Sequence, residues 1–396
     1  MPSHLPSPTA GSTSRLNGLD GLRGLAAVAV VVLHVWMYTE ANAPGRPVLV
    51  DAVIGELRVG VVLFFVLSAF LLARPWVAAA RGERPAPQLG RFALRRLARV
   101  APAYWAALAG AFLLLHGTGH GRATGPETLP AFALFLQNLF PETRGRLDPP
   151  MWSLAVEISF YLALPAVGWL LVRAARRPRW GLAGPLLVCA GLVAAGLAWT
   201  ALGVAREWAP EVMWTLPTYI GLFACGIAAA VLAHRRRLGR PGAALLFAAG
   251  WAAVVLNGVW HSGGTGFTGH VVADLPAGLG FAAVIVAVAL RPPGLLSSAP
   301  LHALGALSYG IYLWHMPVLY GLQLRDAFPE TALPALAAVL GPTLVLATAS
   351  WLLVERPVLR WAARTTRPRP APRAPGRAPR RAVPAVAEAG DWSHGR

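Results

Sequence analysis

Apolar residues come in runs of about 20, and the stretches between them hold most of the arginine and proline. A run of that length matches the hydrocarbon thickness of a bilayer when it is wound as an α-helix. The pattern predicts an all-α polytopic membrane protein with about ten transmembrane helices, at residues 20–39, 57–77, 97–116, 152–172, 181–203, 212–233, 243–260, 271–290, 303–322 and 333–354. One further apolar piece, Leu129 to Phe140, has only 12 residues. It is too short to cross, and it is predicted to be re-entrant or interfacial.

The arginines test this arrangement. With the N-terminus inside, the inner segments hold 28 of the 35 basic residues and the outer loops hold 7. That asymmetry follows the positive-inside rule and predicts that both termini are cytoplasmic. Turning 129–140 into a full span would invert every later loop and destroy the pattern.

Composition agrees: 56% of residues are hydrophobic and only 13% charged, about half the charged share of a soluble domain. The net charge of +18 does not point to nucleic acid, because the basic residues cluster at the ends of apolar runs and in the tail. Cys189 and Cys225 stand singly in apolar runs and suggest neither a disulfide framework nor a metal site. The segment before Arg15 lacks the apolar core and cleavage site of a signal peptide, so the first helix is expected in the mature protein. Three regions are expected: a cytoplasmic segment 1–16, a membrane domain 17–360, and a disordered Arg/Pro-rich cytoplasmic tail 361–396 able to touch anionic lipid.

Polar residues inside this apolar chain carry the candidate chemistry. In LDGLRGLAAVAVVVLHVWMYT, Arg23 and His34 are eleven residues apart, three helical turns to within about 20°, so they share one face roughly 16 Å apart. An ionisable ring at membrane depth is either a histidine hydrogen-bonded to a neighbouring helix or part of a functional site. FALRRLARVAPAYW places Arg95, Arg96 and Arg99 in the predicted first turn of the third span. Guanidinium groups and free backbone N–H groups together would there favour phosphate, although basic flanking of a span is the simpler reading. Glu157 lies about five residues below the outer end of its span, matching His34, and is expected either to pair with it or to form a structural pair with an arginine or tyrosine. His315, in LGALSYGIYLWHMPVLY, reaches the same depth from the inner side; Pro317 is expected to kink that helix locally. Between His34 and His315 the residues do not choose the base. Ser68, mid-membrane, either bonds back to its own helix or faces the site. The glycine-rich loop HSGGTGFTGH (261–270) lacks the Gly-Lys-Ser/Thr of a phosphate loop. Asn138, Asp148 and Asp274 are polar groups near the outer face, suited either to a hydroxylated acceptor or to ordinary loop roles.

Taken in order, LDGLRG with His34, FFVLSAFL, RRLARVAPAYW, MWSLAVEISFYLALP, LGALSYGIYLWHMPV and VERP resemble the acyltransferase-3 family of integral membrane acyltransferases over residues 17–360. The resemblance implies an acyl-CoA donor, with acetyl-CoA the default, bound from the cytoplasm by Arg23, Arg96 and Arg99. It implies His34 as base and Glu157 as its partner; from its depth, His315 is expected in the same site. Ser68, Trp152, Ser153, Tyr309 and Tyr312 are the substrate-site candidates. The acceptor would be a hydroxyl of a carbohydrate, a lipid-linked sugar or a glycosylated natural product, and the setting a bacterial cytoplasmic membrane. No metal or nucleic acid is implied. The sequence departs from the family where Ala69 follows Ser68, a place that is commonly glycine, and it carries no esterase-like domain after Glu355. It is therefore expected to act alone or to pass the acyl group to a partner protein. A secondary transporter with a histidine–glutamate proton relay is the alternative from another class; the missing repeat symmetry and the arginine cluster weigh against it. A catalytically inactive acyl-CoA sensor would keep the arginines without needing His34.

Overall fold

The computed structural model describes residues 10–39, 48–177, 181–234, 237–261 and 274–366, and among these there are helices and turns but no strand. Nearly all of the glycine-rich loop at 261–270, the first nine residues and the tail from 367 onward lie outside the described residues. Each of the ten predicted spans holds a helix among its described residues, and 129–140 holds only one helical turn. Among the described residues, eight helical segments are long and apolar enough to span a membrane. The other two are α11 (Leu275–Leu290), with only 16 residues, and α12 (Ala299–Gln323), with 25. α12 is long enough, but Ser308, Tyr309, Tyr312 and His315 lower its apolarity. Those groups are tolerable because α12 is enclosed by protein: Ser308 and His315 are fully buried.

α1 (Ala10–Thr39) packs most closely on α12. Glycine allows the approach: a Cβ on Gly305 would fall on the carbonyl oxygen of Asp20, and one on Gly24 would meet Leu304 and the Gly305 nitrogen. The helix carrying Arg23 and His34 is thereby held against the one carrying His315. Beside this pair, α3 (Gly60–Ala80) packs on α9 (Leu216–Ala233) and on α6 (Trp152–Ala175). α7 (Ala183–Ala205) lies against α9, and α10 (Arg240–His261) against α11. In α9 67% of the span is buried, against 22% in α7 and α10, so α9 is central and the other two form the rim. Ala69 is buried against Gly226 of α9, so its methyl fills a helix contact and does not enter the site beside Ser68.

Two boundaries differ from expectation. α4 runs from Leu89 to Leu115, starting eight residues earlier than predicted. Arg95, Arg96 and Arg99 thus sit in its second and third turns, where backbone N–H groups are already bonded within the helix. Their place in the second and third turns removes the free helix terminus expected to assist them. α12 passes through Pro317 as one helix. After α13 (Ala332–Ser350) the chain makes a π-helical turn, Trp351–Glu355, before α14 (Arg356–Thr365). A π turn re-aims side chains and is common at functional sites; here Glu355 turns inward and is only 2% exposed.

The short apolar piece forms one helical turn, α5 (Leu129–Ala133), and then a series of tight turns. Tyr104 and Trp105 of α4 donate to the carbonyls of Phe132 and Ala133, at 2.8 and 3.0 Å. The loop is thus tied to the bundle.

Candidate active site

Two cavities lie inside the bundle and share one wall residue. The first, about 100 Å³, is lined by Arg23 of α1, Ser68 of α3, Arg96 and Arg99 of α4, Glu157 and Tyr161 of α6, and Tyr309 of α12, among others. The second, about 360 Å³, is lined by His34, Arg58, Arg122, Trp152, Trp214, Tyr219 and Asp274, among others. Tyr312 lines both. α1 serves both cavities because three turns separate Arg23 from His34.

In the arginine cavity the charges are unequally matched. Arg99 Nη1 donates to Glu355 Oε2 at 2.9 Å, and its guanidinium lies 5.6 Å from the Tyr309 ring centroid and 5.8 Å from that of Trp351. Arg23 and Arg96 have no ion-pair partner among the described residues. Leaving partly buried cations without a counter-charge is costly, so such a cavity favours an anion. Arg95 points elsewhere, donating to Thr366 Oγ1 at 2.8 Å.

Glu157 belongs to this cavity. Its Oε1 accepts a hydrogen bond from Ser68 Oγ and another, at 2.7 Å, from the Tyr161 hydroxyl one turn on. The expected pairing of Glu157 with His34 is therefore not formed. Equal depth was the basis for it, but α6 turns that carboxylate toward the arginines, where opposite charge holds it.

His315 stands beside His34 instead. His315 Nδ1 lies 2.8 Å from the Tyr312 carbonyl and 3.2 Å from that of Ile311, two acceptors, so Nδ1 carries the proton and Nε2 the lone pair. That Nε2 is 3.1 Å from His34 Nδ1, which is also 2.9 Å from the Val30 carbonyl. His34 Nδ1 must then be the donor. Its own lone pair falls on Nε2, on a ring that lines the larger cavity. The two rings are 5.1 Å apart. This tautomer assignment follows from the acceptors present.

The candidate hydroxyls are committed. Tyr309 donates to the Val100 carbonyl at 2.8 Å and Ser68 to Glu157. Tyr312 lies 2.7 Å from both the Pro150 carbonyl and Ser153 Oγ, and Ser153 Oγ is 3.2 Å from the same carbonyl. Trp152 lines the histidine cavity. Among the loop groups only Asp274 reaches it, in a two-oxygen contact with Arg58 Nη1 at 2.8 and 2.9 Å. Asn138 instead donates to the carbonyls of Trp152 and Trp214. The Asp148 carboxylate is buried with no hydrogen-bond partner among the described residues, and burial pushes its pKa well above the usual carboxylate range.

Sequence reasoning passed over Glu355, Tyr161, Arg58, Arg122, Trp214 and Tyr219. Glu355 had a usable signal, a carboxylate closing an apolar run. The loop residues had none.

A bundle of apolar helices with an arginine-lined cavity and, across Tyr312, a second cavity lined by His34 defines an integral membrane protein with buried polar sites. The acyltransferase domain model of the acyltransferase-3 family matches residues 16–353, and the chain belongs to that family: it is a multi-pass membrane acyltransferase. Nodulation protein 10 of Rhizobium leguminosarum bv. viciae is 26% identical over 367 residues, covering 88% of this chain and 95% of that protein. No solved structure matches. Family membership removes the transporter reading.

Proposed function

We propose that this protein moves an acyl group, acetyl by default, from acyl-CoA to a hydroxyl of a carbohydrate, lipid-linked sugar or glycosylated natural product. The observation that carries the reading is the adjoining of the two cavities. One holds arginines in excess of carboxylate, the other holds a histidine lone pair, and they share the wall at Tyr312.

The donor's phosphates bind Arg23, Arg96 and Arg99, and its thioester arm extends past Tyr312 toward His34. The acceptor oxygen attacks the thioester carbonyl carbon while His34 Nε2 takes the hydroxyl proton. His315 Nε2 holds His34 in the required tautomer and stabilises the imidazolium, so it is a positioning residue. Tyr312 donates to the oxyanion, with Ser153 taking over the Pro150 carbonyl. The carbon–sulfur bond then breaks, His34 returns its proton to the leaving thiolate, and the ester product is free. Glu157 acts through Ser68 and Tyr161, holding the arginine cavity open in charge and shape. The Ala69 methyl lies outside this path.

The same reading takes all ten helices as spans of one membrane domain, 17–360, with both termini cytoplasmic and a tail at 361–396 beyond it, in a bacterial cytoplasmic membrane. Acetyl-CoA turnover by detergent-purified protein, with and without candidate acceptors, tests it. Saturable binding and thioester cleavage are expected; absence of both removes the acyl-CoA assignment.

A further inference from the structure

The histidine cavity has features that the transfer chemistry does not use. Trp152 and Trp214 meet edge to face with ring centroids 5.5 Å apart, and Tyr219 lies 5.1 Å from Trp152. All three line the cavity. Asn138 Nδ2 ties the Trp152 and Trp214 carbonyls together, at 2.9 Å to each, so this aromatic wall is fixed before any ligand arrives. The Tyr219 side chain is 4% exposed, yet its hydroxyl has no hydrogen-bond partner among the described residues. A buried hydroxyl left unpaired beside a cavity costs stability unless a ligand supplies the partner.

Charge on the same walls is also uneven. Arg58 is matched by Asp274, and Glu56 lies 3.4 Å from it. Arg122 has no carboxylate partner among the described residues. Its Nη1 donates only to the Gly145 carbonyl, at 3.0 Å, and Gly145 sits at φ 68°, a conformation that glycine adopts without strain. Arg122 is exposed, so its guanidinium, anchored at the cavity by one hydrogen bond, faces solvent with no carboxylate beside it and is free to meet an anionic group on a ligand.

We propose that Trp152, Trp214 and Tyr219 form a stacking subsite for a saccharide ring, and that Arg122 binds an anionic group carried by that saccharide. Aromatic faces are negative and meet the positive C–H edge of a sugar ring, while the rim hydroxyls need polar partners such as Tyr219. A volume of about 360 Å³ falls within the range of roughly 300–1,000 Å³ typical of small-molecule sites. The acceptor is thereby narrowed to an anionic saccharide, either phosphorylated or carrying a carboxylate. The inference rests on the acyltransferase reading for why a sugar should sit beside His34.

The test uses the full-length protein in detergent and three probes: a neutral methyl hexoside, the hexose 1-phosphate and the hexuronate. Binding is read by saturation-transfer NMR on the sugar protons, and acetyl-CoA hydrolysis without acceptor is measured in parallel. The charged probes should bind about tenfold more tightly than the neutral one, with phosphate and carboxylate distinguished by which of the two leads. Arg122→Gln should erase that preference and leave neutral-sugar binding unchanged. Trp214→Ala should weaken all three probes and Trp214→Phe should restore them. Equal binding of charged and neutral probes, or binding indifferent to Trp214→Ala, overturns the inference. Failure of every probe to bind while hydrolysis persists overturns it too and leaves the acyl-CoA reading intact. Missing hydrolysis with charged-sugar binding retained sinks the donor reading alone.

Discussion

The two cavities differ in how they select. The arginine cavity is small and gathers unpaired cations from α1 and α4 around one carboxylate. The histidine cavity is more than three times larger, walled by aromatic rings, and most of its charge is already paired. A small cavity with surplus charge recognises a strong, compact anion with little regard to the rest of the molecule. A larger aromatic one recognises shape. This is the division expected of an enzyme that takes one carrier as donor and is particular about the acceptor, and it makes substitutions in the two places separable.

The largest effect belongs to the junction. His34→Ala should lower transfer by about 10²- to 10⁴-fold while donor affinity stays as in the wild type. Turnover and donor binding measured on the same preparation check this, and unimpaired turnover would remove His34 from its role as base. Next come the cations. Arg23→Ala and Arg96→Ala should each weaken donor binding on the order of tenfold to a hundredfold, and added salt should weaken it further. A pure kcat loss with unchanged donor affinity would move these residues out of the binding role.

His315→Ala should cost about tenfold in kcat with little change in either KM. His315→Gln should recover part of the loss, since an amide oxygen can still accept from His34 Nδ1–H. No recovery, together with a fall in melting temperature, would make His315 a packing residue only. The smallest effect concerns Glu355. Under the proposed acyl-CoA reading its carboxylate would compete with a donor phosphate for Arg99, so Glu355→Gln should tighten donor binding by about two- to fivefold. Weakened binding in calorimetry would mean that Glu355 aims Arg99 and does not compete for it.

Much of the bundle was legible because lipid leaves the backbone few options. Runs of about 20 apolar residues became helices, and the 12 residues of 129–140 held only one helical turn. The common depth of His34 and His315, read by counting along two helices, became a contact of 3.1 Å. The same counting failed for Glu157, because depth says nothing about rotation around the helix axis; α6 turns its carboxylate to Ser68 and the arginines. The start of α4 was missed for a related reason. Its amphipathic first turns resemble a polar loop in composition, although they are helical in the fold.

By itself the sequence determined which segments are helical, which of them carry ionisable groups at membrane depth, and which family the chain resembles. Those properties follow from local composition and from spacing along one helix. Only the tertiary structure decided which of those groups meet. The π-helical turn brought Glu355 to Arg99, the glycine contact of α1 with α12 brought His34 to His315, and loop segments far apart in the chain brought Arg122 and Trp214 to one cavity. Such meetings depend on helix rotation and on pairs distant in sequence, and hydrophobic periodicity encodes neither.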